Sequence, residues 1–156
     1  MTKSAKVTHG HFSIERDYPV STERLFYAWS NLQTKAKWFV GPPGWNLVAR
    51  ELDFRIEGRE RLHGRFASGL ETVYTATFYD IVPGARIVFV YDMHLGSAHH
   101  SVSIATVEIE ARGDQARLQY TEQVAFLDGT ESEPGTASRK QGTGAHFERL
   151  SGVLLS

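Results

Sequence analysis

The sequence predicts an α+β domain in which a long C-terminal helix lies across the concave face of a curved, seven-stranded antiparallel sheet. Two patterns predict this arrangement. Apolar and polar residues alternate over about eighty residues, as in half-buried strands. In residues 142–156 the period changes, and Phe147, Leu150, Val153 and Leu154 recur at the spacing of one helical face. The apolar face of a sheet must be buried against another element, and the apolar stripe of this helix can cover it.

The strands follow from period-two alternation and from the turns between them. The first is predicted at His11–Val20, where Phe12, Ile14 and Tyr18 alternate with polar residues. Glu57-Gly58, Pro83-Gly84 and Gly113-Asp114 are typical turn pairs, and such short turns join antiparallel neighbours. The six later strands are predicted at Leu47–Ile56, Arg59–Phe66, Thr72–Val82, Arg86–Met93, Ser101–Arg112 and Ala116–Phe126.

Two short helices are expected between the first and second strands. Ser21 is a suitable N-cap for a helix that runs to about Asn31. A second, shorter helix is predicted at Thr34–Phe39. The sequence GPPG at residues 41–44 must end it. These helices are expected to plug one end of the sheet. Residues 127–138, LDGTESEPGTAS, are polar with Gly and Pro and are predicted to form a loop.

Composition points to one ordinary globular domain. The chain has 156 residues, of which 41% are hydrophobic and 22% charged. We expect a flexible N-terminus at residues 1–10 and a single domain at residues 11–156. There is no cysteine, which excludes thiol nucleophiles and disulfides. No signal segment or apolar run long enough to span a membrane is present, so we expect a cytoplasmic protein.

Charge argues against polyanionic partners. The formal net charge is -1, and no run of Lys and Arg is longer than two residues. Neither nucleic acid nor a membrane surface is therefore an expected partner, and an uncharged small molecule suits this balance better.

Five stretches together resemble a known superfamily. They are YPVSTERLFYAWSN, KAKWFVGPPGW, LDFRIEGRERL, YTATFYDIVPGARIVFVY and FERLSGVLL, and the resembling residues as a whole run from Phe12 to Leu155. They resemble the helix-grip fold of the START-like (SRPBCC) superfamily, most closely the subfamily named after the heat-shock chaperone ATPase activator. The sequence departs from the usual pattern at Glu57, Glu60, Ala76 and Thr143, where glycine or an aromatic residue is common in that family.

The resemblance implies a cavity between the sheet and the terminal helix. It places one row of each strand on the concave side: Leu52, Phe54 and Ile56; Tyr74, Ala76 and Phe78; Phe89, Tyr91 and Met93; Ala105, Val107 and Ile109; and Leu118, Tyr120 and Glu122. Aromatic rims around small residues leave room for a ligand. The residues that we predict to contact it are Trp38, Phe54, Tyr74, Phe78, Phe89, Tyr91, Tyr120, Glu122, His146, Phe147 and Leu150.

Glu122 and His146 are the candidate catalytic residues. A carboxylate in an apolar row is costly unless it is paired or protonated, so Glu122 is a candidate general acid or base. The alternative is that the strand leaves the core there, so that Glu122 is solvated or pairs with an arginine such as Arg16. His146 could point its ring at the cavity mouth or lie half-exposed on the helix. The tyrosine hydroxyls could bind a ligand, one another or water.

No metal or cofactor is expected. His9 and His11 share one side of an extended segment but lack a third ligand, and adjacent His99 and His100 face opposite sides of a strand.

Three functions stay open, in this order. The first is binding of a hydrophobic or aromatic small molecule, and the second is a cofactor-free enzyme of the cyclase, dehydratase or hydrolase type that uses Glu122 or His146 as proton carrier. The third is regulation of a chaperone ATPase, which the subfamily name suggests. The superfamily resemblance also allows a homodimer.

Overall fold

The computed structural model describes residues 6–156, and the prediction of flexibility at residues 1–5 lies outside them. Within the described residues the elements run in this order: β1 (Thr8–Tyr18), α1 (Thr22–Ser30), α2 (Leu32–Lys35), β2 (Trp45–Leu52), β3 (Arg59–Phe66), β4 (Glu71–Val82), β5 (Arg86–Leu95), β6 (Ala98–Arg112), β7 (Gln115–Phe126) and α3 (Ser132–Leu154).

The strands form one antiparallel sheet in the order β1-β7-β6-β5-β4-β3-β2. Strands β2 to β7 form a meander, and β1 closes against β7 in continuous register from Thr8 opposite Phe126 to Tyr18 opposite Ala116. The predicted fold is therefore confirmed: a seven-stranded sheet, short helices after the first strand and a long final helix.

Irregular pairing helps to explain why the sheet curves. The register shifts at Val48 in β2, at Tyr79 in β4 and at His100 in β6, which is the extra residue where Met93 pairs with Ser101 and His94 with His99. Each shift is a local bulge or irregularity, and bulges bend a strand and increase its twist. Three such sites, in the β2/β3, β4/β5 and β5/β6 pairs, favour the curvature that lets one face wrap around α3.

The predicted loop at residues 127–138 is wrong over most of its length, because α3 begins at Ser132 and not near residue 142. Pro134 is the third helical residue, where a missing N–H breaks no intrahelical hydrogen bond. The first turns also turn polar residues inward, including the partly buried Thr136 and Arg139. An apolar stripe was therefore absent from this half of the helix, and the sequence resembled a loop.

Smaller corrections concern element ends. β1 begins at Thr8, so residues 8–10 belong to the sheet and not to a flexible N-terminus, and it ends at Tyr18. The second helix is Leu32–Lys35, which leaves Trp38 and Phe39 beyond its end. β2 spans Trp45–Leu52.

The predicted concave row of β2 therefore holds only in part. Leu52 and Phe54 pack against the edge of the core, but Ile56 is 56% exposed. Phe54 and Ile56 lie after the end of β2, in a connection where Glu57 takes a positive φ of 70°. The chain turns there, so strand alternation no longer determines which side chains face inward.

The other rows and the helix form one core, as predicted. Phe78 and Phe89 come from the sheet, and Leu25 and Trp29 from α1. Met93 is only partly buried and packs against this cluster. The helical residues predicted to face the sheet, Phe147, Leu150 and Leu154, are all buried.

Helix α3 approaches β1 closely because Gly10 has no side chain. A Cβ on Gly10 would lie 1.8 Å from Thr136 Oγ1. Ser132 Oγ donates to the carbonyl of His9 at the same end. The helix is thus seated on the β1 edge, while the space that remains lies towards β3, β4 and β5.

A second close packing involves the indole of Trp45 between two glycines. A Cβ on Gly64 would lie 1.9 Å from Trp45 Nε1, and one on Gly41 would lie 2.2 Å from Trp45 Cγ. The indole also donates to Thr72 Oγ1 at 2.9 Å. The indole of Trp45 therefore occupies space that is free only because residues 41 and 64 are glycines.

We predict that Gly64→Ala destabilises the protein by about 1–3 kcal/mol, because the new methyl group must displace the Trp45 ring. Gly152→Ala is the matched control, since a Cβ at this α3 position meets nothing within 4 Å. The control should be neutral or stabilise by up to about 1 kcal/mol, because alanine favours a helix over glycine. Urea denaturation measures both, and equal free energies of unfolding for Gly64→Ala and wild type would contradict this packing.

Candidate functional site

A pocket of about 530 Å³ lies between α3, strands β3 to β5 and the segment Trp38–Pro42. Tyr74 from β4, and Phe89, Tyr91 and Met93 from β5, form the sheet side. Thr143, His146 and Phe147 are among the residues that form the helix side. The walls are mainly aromatic and aliphatic, with a few polar groups.

Seven of the residues predicted to contact a ligand line this pocket, namely Trp38, Tyr74, Phe89, Tyr91, Tyr120, His146 and Phe147. Their role in ligand binding stays a prediction. Phe54, Phe78, Glu122 and Leu150 are not brought to the pocket wall. Phe54 instead packs edge-on against Phe78 at 5.0 Å between ring centres, and Leu150 is fully buried in the core.

Glu122 lies at the centre of a buried hydrogen-bond cluster. Its Oε2 accepts from Tyr91 Oη at 2.7 Å, from Ser103 Oγ at 2.7 Å and from Arg139 Nη1 at 3.0 Å. Its Oε1 accepts from Tyr120 Oη at 2.6 Å. The side chain is 0% exposed, so the carboxylate exchanges water for three hydroxyls and a guanidinium.

The ionic partner of Glu122 is therefore Arg139 of α3. The alternative stated from the sequence, in which Glu122 is solvated or pairs with Arg16, is wrong. Arg139 also donates to Tyr91 Oη at 2.7 Å and, through Nη2, to Ser101 Oγ at 2.7 Å. Burial and then the Glu122 carboxylate raise the pKa of the Tyr91 hydroxyl above its ordinary value, so it stays a donor. The cluster links α3 to β5, β6 and β7. We call it the Glu122 cluster.

Arg139 was missed because it directly follows the segment predicted to be a loop. A signal was nonetheless present in the sequence. A glutamate in an apolar strand row must be paired or protonated, so a basic residue on the element that covers the row is a candidate partner. Once α3 is extended towards residue 132, Arg139 is a basic residue within this helix.

A second buried ion pair joins the short α2 helix to β3. Lys35 Nζ donates to Glu60 Oε1 at 2.7 Å, and the two side chains are only 3% and 2% exposed. The ammonium also lies 5.0 Å from the ring centre of Phe39 and 5.4 Å from that of Trp29. Lys35 lines the pocket. Sequence analysis noted Glu60 as unusual but did not identify Lys35.

Backbone carbonyls of the pocket segment Trp38–Val40 are held by cationic or imidazole donors. Arg149 Nε donates to Trp38 O at 3.1 Å, and its Nη2 donates to Val40 O at 2.9 Å. Arg50 Nη2 donates to Phe39 O at 2.8 Å. These bonds fix an irregular segment over the pocket, where no strand pairing is available.

His146 lies on the pocket wall and contacts the same segment. Its Nε2 lies 3.0 Å from Val40 O, which requires a proton on Nε2 and leaves Nδ1 as the unprotonated nitrogen of the neutral ring. Burial, followed by the charge of Arg149, lowers the pKa of His146 to about 4. The ring is therefore neutral at pH 7.

Histidines elsewhere form no metal site in the part of the chain that the structure describes. His99 pairs with Asp92 at 2.7 Å and stacks on His94, whereas His100 pairs with Asp128 at 2.6 Å. Among residues 6–156, no helix is long and apolar enough to cross a membrane.

The fold defines the class of protein: a curved sheet around a C-terminal helix is the helix-grip arrangement of the START-like superfamily. The sequence model of the family "Activator of Hsp90 ATPase homolog 1-like protein" matches residues 19–154. The chain belongs to this family, which confirms the resemblance found in the sequence.

Solved structures are similar over almost the whole chain. A protein from Rhizobium leguminosarum is 38% identical with a TM-score of 0.88, and 96% of each chain is covered. A protein from Rhizobium loti is 40% identical with a TM-score of 0.85, covering 95% of this chain and 99% of that one. The AHSA1 protein from Silicibacter pomeroyi, at 18% identity and a TM-score of 0.71 over 93% of this chain and 97% of that one, shows the fold alone. A comparison with curated proteins finds no match.

We predict that Arg139→Met lowers the free energy of unfolding by about 3–5 kcal/mol, because it leaves the Glu122 carboxylate buried without its cation. Arg139→Met combined with Glu122→Gln should recover most of this loss, since an uncharged amide still accepts from the neighbouring hydroxyls. Urea denaturation of both variants measures the difference. Equal stability of the single and double variants would show that the two side chains are not coupled.

We predict that His146 makes stability depend on pH between about 6.5 and 4. Its ordinary pKa is 6.5 and its folded pKa is about 4. In this window the unfolded chain binds a proton that the folded chain does not, so stability falls as pH falls. From pH 7.5 to pH 5, wild type should lose about 2 kcal/mol more than His146→Gln, whose amide can still donate to Val40.

Urea denaturation at the two pH values gives this difference, in which groups common to both proteins cancel. Parallel losses in wild type and variant would contradict a partly buried His146 that is neutral in the folded protein.

Proposed function

We propose that this protein binds a hydrophobic or aromatic small molecule in the pocket between the sheet and α3. The observation that carries the proposal is the pocket itself: about 530 Å³, with aromatic walls on both the sheet side and the helix side. Its volume falls within the range of small-molecule sites. Apolar walls with a few convergent polar groups favour a ligand of mixed but mainly apolar character.

Rigidity of the walls supports the same function. The Glu122 cluster fixes α3 relative to the sheet, and the donors from Arg50 and Arg149 hold the Trp38–Val40 segment. A ligand would therefore enter a pocket that needs little ordering on binding, which favours affinity.

A cofactor-free enzyme is the second candidate, and His146 is the observation in its favour. His146 lines the pocket with an unprotonated Nδ1. A histidine whose pKa is about 4 is a weak base at pH 7, so the proton transfer it offers is limited. Glu122 lies behind the wall and is already bonded to four donors, which makes it a poor proton carrier.

Regulation of a chaperone ATPase ranks third. It rests on the family name, and no contact in the described residues favours it over ligand binding. A stimulated ATPase rate on addition of this protein to an Hsp90-type chaperone would support that role.

We predict saturable binding of an uncharged solvatochromic dye such as Nile red, with a blue-shifted emission. At a hundred times its dissociation constant, a ligand stabilises the native state by about 2.7 kcal/mol, which raises the melting temperature by about 5–10 °C. Thr143→Trp should weaken both effects, because Thr143 lines the pocket and an indole there would occupy part of the space that the dye needs. Glu148→Trp, at an exposed position of α3, is the matched control.

Thermal unfolding and dye titration measure these effects. An unchanged dye affinity in Thr143→Trp, or a wild-type melting temperature that does not move with the dye, would contradict the proposal.

A further inference from the structure

Two hydrogen-bond donors with unused capacity belong to pocket residues that lie close to the Phe39 ring. These residues are Lys35 and Tyr74, which both line the pocket. The Lys35 ammonium lies 5.0 Å from the ring centre of Phe39, and the Tyr74 ring lies 4.9 Å from the same ring. We call Lys35 and Tyr74 the donor pair.

The capacity of the donor pair is not used within the protein. An ammonium has three N–H donors, and among residues 6–156 Glu60 is the one hydrogen-bond acceptor of Lys35. The Tyr74 hydroxyl has no hydrogen-bond partner within the same residues. The nearby Trp29, which also lines the pocket, has a buried indole N–H without a partner in the described chain. Donors that face a mainly apolar pocket are best satisfied by an acceptor on a ligand.

Charge balance decides which kind of acceptor fits. Glu60 already neutralises Lys35, and Glu122 neutralises Arg139, the other cation on the pocket wall. An anionic ligand group beside Lys35 would bring a second negative charge close to Glu60 in a poorly solvated space, which is unfavourable. A pure hydrocarbon would bury the donors unpaired, which is also unfavourable.

We propose that the donor pair binds an uncharged oxygen acceptor, such as a ketone or ester carbonyl, so that the ligand class is an aromatic or apolar carbonyl compound. This inference rests on the proposed ligand-binding function and names its ligand chemistry. The aromatic walls hold the apolar body of the ligand, and the Lys35 ammonium and Tyr74 hydroxyl donate to its oxygen.

The test compares three probes of similar shape. They are 2-acetylnaphthalene with a carbonyl, 2-isopropenylnaphthalene with a methylene group in place of the oxygen, and 2-naphthoate with a negative charge at pH 7. Titration calorimetry or competition with Nile red gives the three dissociation constants. In wild type the ketone should bind more tightly than both the hydrocarbon and the naphthoate. The informative quantity is the ratio of ketone affinity to hydrocarbon affinity.

Two variants locate the oxygen. Tyr74→Phe removes a hydroxyl that has no partner in the protein, so the fold should be retained. Lys35→Met with Glu60→Met replaces the buried ion pair by apolar side chains of similar size, an exchange that other proteins tolerate. We expect the ratio to fall about tenfold in the Lys35 double variant, and several-fold in Tyr74→Phe. Lys37→Met and Tyr79→Phe, at exposed positions, are matched controls that should keep the wild-type ratio.

Each outcome has a definite meaning. An unchanged ratio in the double variant overturns the proposal that Lys35 donates to the ligand oxygen. An unchanged ratio in Tyr74→Phe overturns the same proposal for Tyr74. Naphthoate as the tightest probe overturns the choice of an uncharged acceptor. In these cases probe binding remains and the proposed function stands. If no probe binds and Nile red also fails to bind, the proposed function fails, and this inference fails with it.

Discussion

The buried contact between Glu122 and Arg139 is the interaction on which the rest of the structure depends. Its carboxylate comes from β7, its guanidinium from α3, and the surrounding hydroxyls from Tyr91, Ser103 and Tyr120. A charged pair away from water is stable only if nearly every polar atom has a partner, and here each carboxylate oxygen has at least one. The free energy needed to separate Arg139 from Glu122 holds the polar half of α3 against the sheet.

The apolar half of α3 is held differently, by Phe147, Leu150 and Leu154 in the core. The helix is thus fixed near both ends by different physical means. It packs against β1, where Gly10 lets Thr136 approach the backbone. Because the helix leans to this side, large aromatic side chains on the opposite strands do not fill all of the space beneath it. The pocket is a consequence of that asymmetry.

The fold was predictable because its signals are local. Each element has one apolar face, which produces the alternation in β3 to β7 and the spacing of Phe147, Leu150 and Leu154. The topology was predicted from the stretches that resemble the family. The first half of α3 was not predictable in this way, since the side chains it turns inward include the polar Thr136 and Arg139. The same holds for Ile56, because the chain leaves the strand before it.

The candidate site was predictable only where aromatic residues of the sheet and helix line it, as Tyr74, Phe89 and Phe147 do. Lys35 lies on a one-turn helix, and its pairing with Glu60 depends on a contact between elements far apart in sequence. Glu122 was singled out correctly as an unusual residue, but its environment depends on a partner in a segment that was expected to be a loop. Polar pairs between distant elements leave no periodic pattern, so the sequence suggests a partner only when the extent of each element is known.

The most direct test of this account is nitrogen-15 NMR of the Arg139 side chain, assigned by comparison with Arg139→Lys. The structure predicts separate Nη resonances with slowly exchanging protons, because Nη1 and Nη2 each donate to buried acceptors and the guanidinium cannot rotate freely. A single averaged Nη signal that exchanges rapidly with water would show that Arg139 is not held by Glu122 and would contradict the account.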